Sequence, residues 1–172
     1  QLSLIKRTAN QAAKDLRASI YRISPNKRGE QVFLAGVSGY LEDLAKLNNI
    51  DVEFLPEGSE ESLSPALRKA LYRIIREATS NAIRHGRCDS IKVILKMTPV
   101  KVSLQIIDDG KGFVVDEHKQ QSGLGLVNMR SLMATFNGSF SIDSYPGSGT
   151  IVTCVAPDDA ENEEVKWAAG GA

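Results

Sequence analysis

Histidine and cysteine are scarce, with two of each in 172 residues. A His/Cys metal cluster or a disulfide framework has little to be built from, and Cys88 and Cys154 lie far apart without CxxC or Cys/His spacing. They read as two reduced thiols of a cytoplasmic protein. Net charge is lacking as well, because 21 Lys and Arg face 21 Asp and Glu, so no long-range field draws polyanions. Aromatic residues make up only 6% of the chain and form no basic-aromatic stripe, which argues against nucleic acid as a partner. No apolar run approaches the roughly 18 to 20 residues that cross a bilayer, and no signal-peptide pattern follows Gln1. No membrane contact is expected of these residues. A chain that opens on Gln1 rather than Met reads as a piece of a longer protein, whose anchoring to a membrane stays open.

What is present is an ordinary globular composition, 42% hydrophobic and 24% charged, suited to one domain with a short appendage. Basic residues (Lys6, Arg7, Lys14, Arg17, Arg22, Lys27, Arg28) dominate the start, and Asp158, Asp159, Glu161, Glu163 and Glu164 cluster near the end. From Leu2 to Ile23, apolar and small residues recur in alternating steps of three and four, a heptad seam that Ser24-Pro25 ends. That helix either packs on its own domain or forms half of a dimerising hairpin. A second helix carries Phe33, Val37, Tyr40, Leu41, Leu44 and Leu47 on one side, and residues 50–54 alternate as a strand. Pro56, Gly58 and several serines mark a loop. Ser64-Pro65 then caps a long helix with Leu67, Leu71, Ile74, Ala78 and Ala82 on one face, running to Arg84 or His85 with Gly86 as its stop.

Alternation at Ile91, Val93, Leu95 and again at Val102, Leu104, Ile106 predicts a hairpin that delivers Asp108 at its end. Lys111 to Gly123 has no periodic apolar face and reads as a mobile loop. A helix from Leu124 carries Val127, Leu132 and Phe136 until Asn137-Gly138; two strands, at Phe140/Ile142 and Ile151 to Val155, follow around Pro146-Gly147-Ser148-Gly149. The order α-α-β-α-β-β-loop-α-β-β predicts a two-layer α/β sandwich, a mixed sheet with helices on one face. Its domains are 1–24, 25–157 and an acidic tail or linker at 158–172.

Three motifs carry chemistry. On the long helix, Glu77, Asn81 and His85 recur every four residues with Arg84 beside them, so one edge offers a carboxylate, an amide and two groups suited to phosphate. Alone this edge reads more readily as a solvated face. Asp108-Asp109-Gly110-Lys111-Gly112-Phe113 sets an acid at a strand end with two glycines after it, where a backbone can pass close to a flat ligand and a carboxylate can accept from an exocyclic amine. Asp-Gly turns are also common everywhere. Gly123-Leu124-Gly125-Leu126 opens a helix whose unpaired N–H groups suit an anion. It lacks the GKS or GKT of a P-loop.

Their order, completed by Gly147-x-Gly149-Thr150, resembles the ATP-binding domain shared by gyrase, the Hsp90 chaperones, MutL and the histidine kinases. Within that superfamily the chain resembles the sensor histidine kinases of two-component systems, in particular the subgroup with the nitrate and membrane-fluidity sensors. That finer likeness rests on the short loop between Phe113 and Gly123, the run Gly123 to Arg130, and the helix end from Leu16-Arg17 to Ser24-Pro25.

The resemblance implies ATP and Mg²⁺ as ligands. Asn81 would ligate the metal, and Arg84 and His85 would lie along the phosphates, Arg84 replacing the lysine of many relatives. Asp108 would accept from the adenine amine, Gly110 and Gly112 would give the ring room, and Thr150 would add a water-mediated contact. Gly123, Leu124, Gly125 and Leu126 would close over the phosphates. Glu77 joins Asn81 as a catalytic candidate; in ATP-hydrolysing relatives this carboxylate activates water, whereas a kinase spares the γ-phosphate for a histidine. The phosphoacceptor histidine is missing, since neither His85 nor His118 has its context. The resemblance therefore implies a domain that binds Mg-ATP and phosphorylates a histidine outside these residues, for relay to the aspartate of a response-regulator receiver. Its opening helix would be the second of a dimerisation hairpin, pairing weakly without the first. A serine kinase of the anti-sigma type and a nucleotide-free interaction module are the competing readings.

Overall fold

The computed structural model describes residues 32–115 and 123–157. The heptad helix, His118 and the acidic tail lie outside these residues. Helix α1 spans Val32–Asn48 and buries Leu34, Gly36, Val37 and Leu41, with Phe33, Tyr40 and Leu44 packed at the margin of the core. Leu47, expected on the same side, is 72% exposed. It belongs to the last turn, just before Asn49 (φ 52°) takes the left-handed conformation that ends the helix.

Strand β1 follows at Asp51–Glu57 and runs straight through Pro56, which the sequence places in a loop. The sheet order β1-β2-β3-β5-β4 explains this: β1 is an edge strand, where one flank needs no hydrogen-bond partner and a missing N–H is tolerated. A 3₁₀ turn at Glu60–Ser62 leads into helix α2, Pro65–Asn81. Its start is the expected one, with Ser64 Oγ accepting from the Leu67 N–H at 3.2 Å and Pro65 in the first turn. The predicted apolar face, Leu67 to Ala82, is buried throughout.

The end of α2 differs from expectation. The helix widens into a π-turn at Ala82–Gly86, and Arg87 (φ 53°), not Gly86, takes the left-handed stop. Such π-turns insert an extra residue at a cost in bonding geometry, and they concentrate at functional sites.

Strands β2 (Ser90–Met97) and β3 (Lys101–Asp108) form the predicted hairpin, with buried and exposed residues alternating. Helix α3 (Leu124–Ala134) buries Met129 and Met133 and half-buries Leu132, whereas Val127 is 46% exposed. Flexible methionines fill this contact rather than the predicted β-branched residue. Asn137 (φ 52°) ends the segment as expected, and β4 (Ser139–Ser144) pairs antiparallel with β5 (Thr150–Pro157).

β1 is parallel to β2 and the other pairings are antiparallel, giving the mixed sheet predicted. The core joins Ile91, Val93, Leu95, Val102, Leu104, Ile106, Val152 and Cys154 to the α1, α2 and α3 side chains. On β1 and β2, Glu53–Lys92 (2.7 Å) and Glu57–Lys96 (3.1 Å) form exposed ionic rungs, each worth under about 1 kcal/mol.

Glu60, only 3% exposed, is a buried acid with a structural task. Its carboxylate accepts from the Phe33 and Leu34 N–H groups (3.0 and 2.6 Å) and lies 3.6 Å from Arg68 Nη1. It thereby supplies from a distance the acceptor that the start of α1 lacks. Glu60→Gln keeps one acceptor but loses the charge; denaturant unfolding is expected to show a loss of about 1 kcal/mol.

Candidate functional site

Three chain segments end at the same edge of the sandwich: the π-turn of α2, the last residue of β3 and the first of β5. Asp108 closes β3 opposite Ile91 on β2 and Thr150 on β5. It is 9% exposed, and its Oδ1 accepts from the Gly110 N–H at 2.9 Å. Burial raises its carboxyl above the ordinary aspartate value, and the Asp109 charge adds to this, while the Gly110 and Thr150 N–H groups favour the ionised form.

The turn after Asp108 is crowded with backbone. A Cβ on Gly110 would lie 2.7 Å from the Gly86 carbonyl oxygen, and one on Gly112 (φ 60°) would strike the Tyr145 carbonyl. Lys111 N–H donates to the Gly86 carbonyl (2.8 Å), and Gly147 N–H donates to the Lys111 carbonyl (2.6 Å). Ser144 ties the third side: its Oγ accepts from Phe113 N–H at 3.0 Å, donates to the Gly149 carbonyl at 2.9 Å, and lies 3.0 Å from Thr150 Oγ1. Asp108, Gly110, Gly112 and Thr150 thus share one hydrogen-bonded knot.

The second group forms on α2. Asn81 Nδ2 lies 3.4 Å from Glu77 Oε1. A carboxylate only accepts, so the amide must turn its NH₂ to Glu77, leaving the Asn81 oxygen as the group available to a cation. Gly125, in the first turn of α3, packs against Glu77 so closely that any side chain there would displace the carboxylate. Gly123, in contrast, has open space around its Cα. Gly86 joins the two groups, since a Cβ on it would meet Asp108 Oδ1 at 3.4 Å and the Asn81 carbonyl at 4.0 Å.

Arg84 and His85 are exposed in the π-turn, and Leu124 is 78% exposed at the start of α3, so these three flank the site. Leu126 turns inward and packs against the core. Residues that sequence reasoning passes over are Gly86, Asp109, Ser144 and Gly149 (φ 72°). Gly149 sits against the Asp108 carbonyl, where no side chain fits. Gly86 as the expected helix stop, Asp109 inside the Asp108–Phe113 run and Gly149 inside the G-x-G-T run carry sequence signals, though not for the contacts they make; Ser144 carries none. Beneath the turn Cys88 is buried; burial first, then the Asp108 and Asp109 charges, push its thiol up to about 11, and burial pushes Cys154 up to about 12. Both thiols stay protonated and unreactive at neutral pH.

The arrangement offers an acceptor beside closely packed, side-chain-free backbone, and next to it an amide oxygen, a carboxylate and two exposed basic side chains. Residues 66–160 match the family model described as histidine kinase-, DNA gyrase B-, and HSP90-like ATPase. The chain is 28% identical over 167 residues to the sensor histidine kinase LiaS of Bacillus subtilis, covering 95% of this chain and 46% of that protein. It is 29% identical over 162 residues to the sensor protein VraS of Staphylococcus aureus, covering 94% and 46%. It therefore spans about half the length of these curated relatives. The fold is that of the Acinetobacter baumannii histidine kinase AdeS (TM-score 0.61, 19% identity, 92% of this chain and 86% of that one). The histidine kinase domain of an Erythrobacter litoralis blue-light activated kinase is similar too (TM-score 0.59, 19% identity, 81% and 68%). Among the described residues, no helix is long and apolar enough to cross a membrane.

Proposed function

From the premise that the chain belongs to the histidine kinase-, DNA gyrase B- and HSP90-like ATPase family and binds ATP, we propose that it is the ATP-binding catalytic domain of a two-component sensor histidine kinase. The observation that carries this is the junction at Gly86, where the Asp108 knot meets the Glu77–Asn81 pair at one edge of the fold. Relatives named as sensor kinases, aligned over nearly the whole chain, support it.

In this reading Asp108 accepts a hydrogen bond from the exocyclic amine of adenine, and the side-chain-free backbone at Gly110 and Gly112 lies beside the ring. Thr150, held beside Ser144, offers a hydroxyl to a bridging water. The Asn81 oxygen holds Mg²⁺, a hard cation suited to amide and phosphate oxygens; bound there, the metal neutralises phosphate charge. Arg84 and His85 meet the phosphates from the rim, and the first turn of α3, Gly123 to Leu126, adds the positive end of a helix. Glu77 orients the Asn81 amide and keeps its carboxylate at the phosphate end. Phosphoryl transfer rests on positioning and charge neutralisation, so the accepting histidine can come from a separate helical hairpin. Neither His85 nor His118 is that acceptor. In this reading the heptad-patterned sequence of residues 1–24 belongs to the dimerising part, 25–157 is the catalytic domain and 158–172 an acidic tail or linker; the phosphoryl group passes on to a response-regulator aspartate.

Calorimetric titration with ATP, with and without Mg²⁺, tests the binding half. Wild type is expected to bind more tightly with Mg²⁺, and Asn81→Ala to lose about tenfold in affinity only when Mg²⁺ is present. Binding indifferent to Mg²⁺ in both proteins would remove Asn81 from the site. Labelled ATP supplied with a separate histidine hairpin tests the transfer: acid-labile label on the hairpin supports a histidine kinase, acid-stable label on serine refutes it.

A further inference from the structure

Asp109 projects out of the site, yet its carboxylate is the most heavily bonded side chain in the turn. Oδ1 accepts from the Asp89 and Ser90 N–H groups, both at 2.9 Å, and Oδ2 accepts from Ser90 Oγ at 2.9 Å. These bonds hold its carboxyl below the ordinary aspartate value, the Ser90 N–H foremost. All three bonds go to the start of β2 and the residue before it.

That start of β2 matters because it is the continuation of the π-turn. From Gly86 the chain passes Arg87 and Cys88 to Asp89 and Ser90 within four residues. On the other side, Asp108 precedes and Gly110 follows Asp109 directly. Gly86 and Gly110 touch backbone to backbone with no side chain to interlock. The regular β2–β3 ladder ends at Ile91↔Asp108, and the next bond, Asp109 N–H to the Ser90 carbonyl, is stretched to 3.4 Å. The strong links across this junction are therefore the three to the Asp109 carboxylate and the one from Lys111 N–H to the Gly86 carbonyl.

We propose that Asp109 is a positioning residue for adenine recognition: by stapling the end of β3 to the start of β2, it fixes the turn that aims the Asp108 carboxylate and holds the close backbone contact between Gly86 and Gly110. This rests on the reading of Asp108 as the acceptor for the adenine amine. A site that must hold its geometry to a fraction of an ångström needs such support behind the contacting group. Both carboxylate oxygens are used, so alanine removes every bond, whereas asparagine keeps an oxygen for the two backbone donors.

The test uses the full chain and two ligands that differ on one edge of the base: ADP, and IDP, in which a carbonyl oxygen replaces the exocyclic amine and N1 carries a proton. Wild type is expected to prefer ADP. Asp109→Ala should weaken ADP about tenfold and IDP far less, so that the preference shrinks; Asp109→Asn should restore most of it, and Ser90→Ala should cost about twofold to threefold. Equal losses for both nucleotides would mark Asp109 as merely structural and overturn the proposal, as would Asp109→Ala binding ADP like wild type. A different failure is separable: if wild type and Asp108→Asn alike ignore the difference between ADP and IDP, Asp108 is not the amine acceptor and both readings fall. Ser90→Ala, the mildest change, keeps the comparison open should Asp109→Ala fail to fold.

Discussion

Asp108→Asn is expected to weaken ATP binding about 100-fold, the effect of losing a charge-assisted acceptor in a desolvated site, about 2–3 kcal/mol. The substitution is isosteric, and its amide oxygen can still take the Gly110 N–H, so the loss reports chemistry rather than shape. Stability moves the other way. Burial raises the folded-state value of this carboxyl, so folding opposes its ionisation. The protein loses stability as pH rises from the unfolded value near 3.8 through the raised folded value. Above that window the penalty is constant. Asparagine removes it, so the thermal midpoint at pH 7 should hold or increase, and that midpoint should respond less to pH over the acid range than wild type. A drop in midpoint of several degrees would show that the carboxylate is a net support of the fold.

Gly110→Val should cost about 3 kcal/mol of stability and abolish measurable ATP binding. The first added carbon would stand 2.7 Å from the Gly86 oxygen and 2.9 Å from its carbonyl carbon. These are backbone atoms of a π-turn pinned by Lys111 N–H, and they cannot step aside as a side-chain tip could. Overpacking against fixed atoms costs about 1–3 kcal/mol for small insertions, and valine adds two further carbons. Gly123→Ala is the control: open space surrounds that position, and its stability should stay within about 0.5 kcal/mol of wild type. Chemical denaturation of the two variants decides the matter; equal stability would mean that the Gly86–Gly110 contact is not tight.

The fold was legible where the signal is local. Ser64-Pro65 marks the start of α2 because cap chemistry involves residues three apart, and the β2–β3 alternation survives because its pattern has period two. Asp108 stands out for the same reason, as an acid at the end of an alternating run. Leu47 and Val127 show the limit: both are apolar and close to a helical repeat, but which face of a short helix meets the sheet is decided by tertiary placement. Pro56 misleads because a proline breaks central strands and is harmless on an edge, and edge status is a property of the whole sheet. Within the candidate site, Gly86 follows a helix as a stop signal should, yet its position answers to Gly110, 24 residues later in the sequence. Ser144 and Asp109 use side chains that resemble ordinary turn residues until the segments they join are seen together.

The pairing of β3 with β5 also governs when the site can exist. Asp108 and Thr150 are neighbours across strands but roughly forty residues apart along the chain, and Ser144 and Gly149 belong to the later segment. Contacts of such long range form only after the intervening chain has lost much of its freedom, so a chain folded only through β3 has an aspartate at a strand end and no pocket. ATP is then a ligand of the completed sandwich alone. At a hundred times its dissociation constant it would add about 2.7 kcal/mol to the folded state, which makes nucleotide supply a term in the protein's lifetime as well as in its chemistry.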